Sequence, residues 1–165
     1  MLGAAFSIMD LLKPELIIQY GGITLLILIV FTENGLFFGF FLPGDSLLFV
    51  SGLLCKSHLE LEVWVLIIIL IVAAFLGSLT GYGFGKLAKR YLENKPDGLF
   101  YKKKYLDVTQ HFYDKHGMMA FIMGRFLPVI RTFIPILAGV ASIKFTKFLY
   151  YNFVGICFWV ISMVM

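Results

Sequence analysis

Charge is scarce in this sequence. Asp, Glu, Lys and Arg make up 15% of its 165 residues, against 60% apolar. That is too little polarity to cover a soluble domain of this length. Cysteine is nearly absent: Cys55 and Cys157 lie far apart, with no C-x-x-C or metal-ligand spacing, which leaves them as small apolar residues. The N-terminus lacks a basic segment and a small-residue cleavage site, so the first apolar run reads as a retained span. Signatures of intramembrane enzymes are missing too. Pro43-Gly44-Asp45 is not G-x-G-D, Tyr113-Asp114 lies in a polar stretch, and there is no H-E-x-x-H. None of His58, His111 and His116 lies in an apolar segment, so neither a serine hydrolase nor a lipid phosphatase has its histidine. No enzyme activity, metal or cofactor is expected.

What is there is a set of long apolar runs. Residues 1–14 read as an interfacial helix stopped by Pro14, and Leu16–Phe31 as a nearly charge-free span. A second stretch, Gly35 to Leu54, is cut in its middle by Pro43, Gly44, Asp45 and Ser46, and a polar patch follows at 56–62. Val63 to about Thr80 is long enough to cross and continues into Gly77, Gly81 and Gly85. These three share one helical face, where small residues let another helix approach closely in lipid. The string Gly81 to Lys86 has the look of a nucleotide loop, but no strand precedes it. From Lys86 to Lys104 seven Lys and Arg face only Glu93 and Asp97. So local an excess argues for membrane orientation rather than nucleic-acid binding, and puts this loop in the cytoplasm. Residues 105–116 could form an amphipathic surface helix. A second interrupted stretch, Met118 to Ile143, contains Arg125, Pro128, Arg131 and Pro135. Lys144 and Lys147 then lead into a final run, Phe148 to Met165.

The two interrupted stretches share a string: Gly39-Phe-Phe-Leu-Pro43 matches Gly124-Arg-Phe-Leu-Pro128 except at the second position. Small-Gly pairs follow each at nearly the same distance, Ser51-Gly52 and Ala138-Gly139. Pro43 and Gly44 offer a turn, and Asp45 and Ser46 can cap the helix after it. The eight residues before Pro43 make about 12 Å of helix, less than half of a bilayer core of about 30 Å. Each stretch therefore reads as a re-entrant hairpin, with a kinked full span as the alternative. Irregular backbone at that depth has to face protein or a water-filled cavity. With the basic loop inside, the first hairpin dips in from outside and the second from inside, the arrangement of an inverted repeat. The expected fold is an all-α integral membrane domain over 1–165. Repeat one covers about 16–85, the basic and amphipathic segment about 86–117, and repeat two about 118–165.

The repeats differ in charge. The first brings Glu33 and Asp45, the second Arg125 and Arg131. A charge held in the membrane costs at least a few kcal/mol, so such groups are paired or functional. Mutual pairing of the four would lock the hairpins together. On the functional reading, the guanidinium forks take a phosphate-like head group. The carboxylates would then carry protons, since burial raises a carboxyl pKa and a neighbouring arginine lowers it.

Together these residues resemble the DedA family, whose shared region is also called the VTT or SNARE-associated domain. The resemblance runs from Glu33 to Asn152. It rests on Glu33, F-x-P-G-D-S at Phe41 to Ser46, G-Y-x-x-G-K at Gly81 to Lys86, G-R-F-x-P-x-x-R at Gly124 to Arg131, Pro135 and Ala138-Gly139. It implies re-entrant hairpins at Pro43, Gly44, Ser46, Pro128, Pro135 and Gly139, and a lipid-carrier role. Bacterial members return undecaprenyl phosphate across the cytoplasmic membrane; eukaryotic relatives scramble phospholipids. By position, Glu33 and Asp45 match the family's essential acids and Arg125 and Arg131 its essential arginines. Family members usually continue through another membrane helix, so either the sequence is truncated or its last helix ends at residue 165. The expected function is proton-coupled movement of a polyprenyl phosphate or related anionic lipid by a multi-pass inner-membrane protein. The alternatives are a cation or drug/proton antiporter, an uncoupled scramblase and a non-transporting scaffold. The partners expected are membrane lipids, the lipid phosphate and protons, with no nucleic acid; a homo-oligomer is compatible with the sequence.

Overall fold

Proline and glycine decide where the helices begin and bend. The computed structural model describes residues 14–36, 44–54, 62–93, 115, 117, 119 and 121–165, and among these all regular structure is helical. Helix α1 is Pro14–Gly35, α2 Gly44–Leu54, α3 Val63–Glu93, α4 Pro128–Val140 and α5 Phe145–Val164. Proline opens α1 and α4, at the end of a helix where a missing N–H costs nothing. Residues 121–124 are also helical and run into a turn at 125–127, directly before α4.

Two helices, Val63–Tyr91 and Phe145–Val164, are long and apolar enough to cross a membrane. The first apolar run differs from the uninterrupted span expected over Leu16–Phe31. Gly22 adopts φ +54°, ψ −152° within α1, so the apolar helix beyond it is the shorter Gly22–Gly35. Only glycine enters that conformation without strain, and the paired glycines at 21 and 22 supply it.

Other boundaries also depart from expectation. Helix α3 does not stop at the basic stretch but runs on to Glu93, so Lys86, Lys89 and Arg90 are helical. Leu, Ala, Lys and Arg are strong helix formers, and no Gly or Pro lies among them to end it. Asp45 and Ser46 lie in the first turn of α2 rather than ahead of it, and Ser46 is exposed. Pro135 and Gly139 are not turn residues: both sit inside α4. Pro135 deprives the Arg131 carbonyl of its helical donor, yet the helix continues to Val140, with the ring set beside Gly81 of α3. Helix α5 starts at Phe145, three residues before the expected run. Pro43, the expected hairpin arm before it, the segment 1–13, the polar patch at 56–61, residues 94–114 and Cys55 lie outside the described residues.

The glycine face of α3 serves two neighbours in succession. A Cβ at Gly77 would come within 2.3 Å of the Phe31 carbonyl oxygen of α1. One at Gly85 would come within 2.1 Å of the Ile136 oxygen of α4. Gly139 answers from α4: its Cβ would lie 2.2 Å from the Tyr82 oxygen. Backbones meet at these points, as small-residue faces allow.

The buried side chains form two apolar clusters. Leu26 and Val30 of α1, Leu47 and Leu48 of α2, Leu66, Leu70 and Ala74 of α3, and Ile156 and Trp159 of α5 make the larger. Tyr82, Phe121, Ile134, Ala138 and Phe148 make the other. Along α3 the residue between the clusters is Ser78, four from both Ala74 and Tyr82. Along α5 it is Asn152, four from both Phe148 and Ile156. One helical turn on two helices therefore places a polar layer between the clusters.

Candidate functional site

That layer holds all four membrane-depth charges, delivered by different elements. The last turn of α1 supplies Glu33 and Asn34, and the first turn of α2 supplies Asp45. Helix α3 gives Ser78, the turn before α4 gives Arg125, α4 gives Arg131, and α5 gives Asn152 and Trp159. Glu33, Asn34, Ser78, Arg125, Arg131 and Asn152 are all buried.

Arg131 binds both acids. Its Nη2 donates to Glu33 Oε1, and its Nη1 donates to Asp45 Oδ1 at 2.5 Å. The Trp159 indole N–H donates to the same Asp45 oxygen at 3.0 Å, and the Arg131 guanidinium carbon lies 4.4 Å from the Trp159 ring centroid. A planar guanidinium can thus fork onto two carboxylates while stacking on an aromatic face, which an ammonium cannot. Glu33 reaches this position over Gly44, where a Cβ would stand 1.4 Å from its Oε2. Glycine at the start of α2 leaves room for the carboxylate beside the positive end of that helix.

Among the described residues, Arg125 meets no carboxylate. Its Nη1 donates to Asn34 Oδ1 at 3.1 Å, and its Nη2 to Ser78 Oγ at 3.2 Å and to Asn152 Oδ1. Local bonds aim two of these acceptors. The Asn34 amide nitrogen donates to the Val30 carbonyl at 2.8 Å, which turns its oxygen outward. The Ser78 hydroxyl donates to the Ala74 carbonyl at 2.9 Å, which leaves its lone pairs for the arginine. Gly155 makes the space: a Cβ there would lie 3.2 Å from Arg125 Nε.

The charges are therefore divided unevenly. Mutual pairing of two acids with two arginines is not what forms; Arg131 takes both acids, and among the described residues Arg125 bonds only to neutral oxygens. Three buried donors, Arg125 Nε, Arg131 Nε and Asn152 Nδ2, have no acceptor among the described residues. A surplus of donors around an uncompensated guanidinium is the chemistry of an anion site.

Among the sequence candidates, Glu33, Asp45, Arg131 and Gly44 come together, and Arg125 joins the same layer through different partners. Gly77, Gly81, Gly85, Pro135 and Gly139 lie where helices pack against one another. Pro128 opens α4 between the two arginines. Asn34, Ser78, Asn152 and Trp159 carry the site as much as the charges do, and sequence reasoning did not single them out. Asn152 had a signal, an amide within an otherwise apolar helix at membrane depth.

Comparison with known proteins gives the family. The VTT domain matches residues 42–165. Protein DedA of Escherichia coli K12 is 38% identical over 155 residues, covering 92% of this chain and 71% of its own length. This chain belongs to the DedA family. Inner membrane protein YghB of E. coli K12 is 34% identical over 137 residues, covering 79% of this chain and 59% of its own length. A membrane protein of Mycobacterium leprae is 38% identical over 133 residues, covering 81% and 59% respectively. No solved structure matches. The DedA-family chain is accordingly a membrane protein, and of the polar layer only Glu33 and Asn34 precede the span matched by the VTT domain.

Proposed function

We propose that this DedA-family protein moves an anionic lipid phosphate, a polyprenyl phosphate of the undecaprenyl kind, across the inner membrane and couples that movement to protons. The observation that carries the reading is Arg125. A fully buried guanidinium that meets no carboxylate among the described residues, beside unspent donors on Arg131 and Asn152, suits a phosphate oxygen far better than a cation. A purely structural arginine would be expected to take a carboxylate, and two lie in the same layer.

The lengths of α2 and α4 support the expected hairpins. Eleven residues make about 16 Å of helix and thirteen about 20 Å, both short of a core of about 30 Å. We read them as the second arms of two re-entrant hairpins related by an inverted repeat. Their first residues bring Asp45 and, one turn on, Arg131 to the same depth.

On this reading Arg131 is the coupling element. A phosphate arriving at Arg125 competes for Arg131, displaces Asp45 or Glu33, and the released carboxylate takes up a proton. Asp45, 32% exposed, is the more accessible of the two, and Glu33, 1% exposed, the more enclosed. Entry therefore starts on the Asp45 side and requires α2 to shift from Trp159.

The test is reconstitution of the full-length protein in liposomes with labelled polyprenyl phosphate in one leaflet, with and without a pH gradient. Wild type is expected to translocate the label faster with the gradient. Arg125→Ala is expected to abolish movement, and Glu33→Gln or Asp45→Asn to remove the response to pH. Equal rates in protein-free and protein-containing vesicles would defeat the proposal. Equal movement of zwitterionic phospholipid would replace it with a scramblase.

A further inference from the structure

Outside the polar layer, cations gather among the described residues where the end of α3 meets the α4–α5 turn. There the protein forms an open cleft of about 550 Å³ lined by Gly83, Lys86, Leu87, Lys89, Arg90 and Ser142. Its cations belong to the basic stretch that marks the cytoplasmic side. We propose that this cleft binds the phosphate head group of an anionic phospholipid from the cytoplasmic leaflet, at a site separate from the buried arginines.

Three features of the cleft converge on an anion. The first is the local balance of charge. Lys86, Lys89 and Arg90 line it, and Lys144 and Lys147 follow within five residues of Ser142. Glu93, in the last turn of α3, is the one acid of that helix and is outnumbered by these cations, while Glu33 and Asp45 lie in the polar layer. The second is the start of α5. Lys144 occupies its N-cap without a capping side-chain bond, and no acid stands in its first turn. Lysines at a helix N-terminus oppose the macrodipole, and an anion lying between them and the exposed N–H groups would offset that.

The third is that the cations are not needed to cap α4. The amides of Ala141, Ser142 and Ile143 already donate to the carbonyls of Leu137, Gly139 and Ala138, and the Tyr82 hydroxyl donates to the Ile143 carbonyl. Lys89 Nζ donates instead to the Ser142 hydroxyl at 2.7 Å, and Lys86 Nζ lies 5.5 Å from the Tyr82 ring centroid. Both ammonium groups are thus held around the cleft.

The source of the phosphate follows from the neighbouring surface. Leu87 lines the cleft and is 65% exposed, and Phe84 beside it is 52% exposed. Leu87, Gly83, Leu76 and Val72 continue one face of α3 toward an apolar crease against α1, lined by Leu28, Phe31, Ile68, Val72 and Leu76. Leu76 lies ten residues before Lys86, about 15 Å along the helix, or the depth of one leaflet. A cationic head cleft above an apolar track on the same helical face matches a lipid, whereas free phosphate has no use for the track.

The experiment is native mass spectrometry of the full-length protein released from phosphatidylcholine nanodiscs containing graded phosphatidylglycerol. Wild type is expected to retain phosphatidylglycerol in preference to phosphatidylcholine, with retention falling as salt rises. The triple variant Lys86→Gln/Lys89→Gln/Arg90→Gln should lower that retention at least tenfold. Lys102→Gln/Lys103→Gln/Lys104→Gln removes the same charge from the loop and should leave it unchanged. Ser142→Asp places an acid in the cleft without deleting a cation, at a backbone φ of +54° that Asp tolerates, and should cause a similar loss. Unaltered retention in both cleft variants overturns the proposal, as does an equal loss in the loop variant. Displacement of the lipid by low millimolar inorganic phosphate would overturn the lipid assignment. Because binding alone is read, the outcome does not depend on transport through Arg125.

Discussion

Replacing Arg131 with methionine tests how the polar layer is held. The side chain is 1% exposed and is shared between Glu33, also 1% exposed, and Asp45, 32% exposed. Removing one member of a buried ion pair costs about 3–5 kcal/mol, because the other charge is left uncompensated. The Asp45 arm adds at most about 1 kcal/mol, since that carboxylate is partly solvated and keeps the Trp159 N–H. Arg131→Met is therefore expected to cost about 4 kcal/mol. Glu33→Gln should cost less, because Arg131 retains Asp45, and Asp45→Asn should cost least. The double variant Arg131→Met/Glu33→Gln no longer buries an unpaired carboxylate. It should be more stable than the sum of its two losses implies by about 2 kcal/mol, within the range for contacting residues. Unfolding in mixed detergent micelles, followed by far-UV circular dichroism so that changes around Trp159 do not contribute, measures the cycle. Additivity within about 0.5 kcal/mol would refute the buried pair, and a larger loss for Asp45→Asn than for Glu33→Gln would reverse the assigned order.

Two further substitutions probe the packing and the neutral acceptors. Gly85→Ala should destabilise by about 1–3 kcal/mol, since its Cβ would meet the Ile136 carbonyl oxygen at 2.1 Å. Gly83→Ala, with nothing within 4 Å, should instead gain up to about 1 kcal/mol in helix propensity, and thermal melts of the two in detergent give opposite signs. Asn152→Leu deprives Arg125 of one acceptor and should cost about 1–3 kcal/mol. Asn152→Asp should recover that loss by pairing the arginine and, if Arg125 receives the substrate, reduce lipid-phosphate movement in the liposome assay.

The sequence by itself determined the membrane class, the glycine face and the charged residues. Each of these is a local property. Sparse charge leaves lipid as the surroundings, proline removes an N–H wherever it stands, and a glycine face at a spacing of four exposes backbone regardless of what packs there. Local signals were weaker at helix ends. Leu, Ala, Lys and Arg extend a helix whether or not they sit in a basic stretch, so α3 outran its apolar span, and the paired glycines gave no sign of which side of α1 would turn.

Only the tertiary structure decided who pairs with whom. Asn34 and Ser78 bond to carbonyls within their own helices, as such residues do in many apolar helices, and nothing local reveals that their remaining lone pairs point at an arginine. Arg131 meets acids 98 and 86 residues away, and that pairing follows from where the glycine contacts set the helices. The four charges could be read along the chain. That Arg131 takes both acids and leaves Arg125 among neutral oxygens depends on the helices meeting at one layer, because burial forces each polar group to use whichever partner the packing brings.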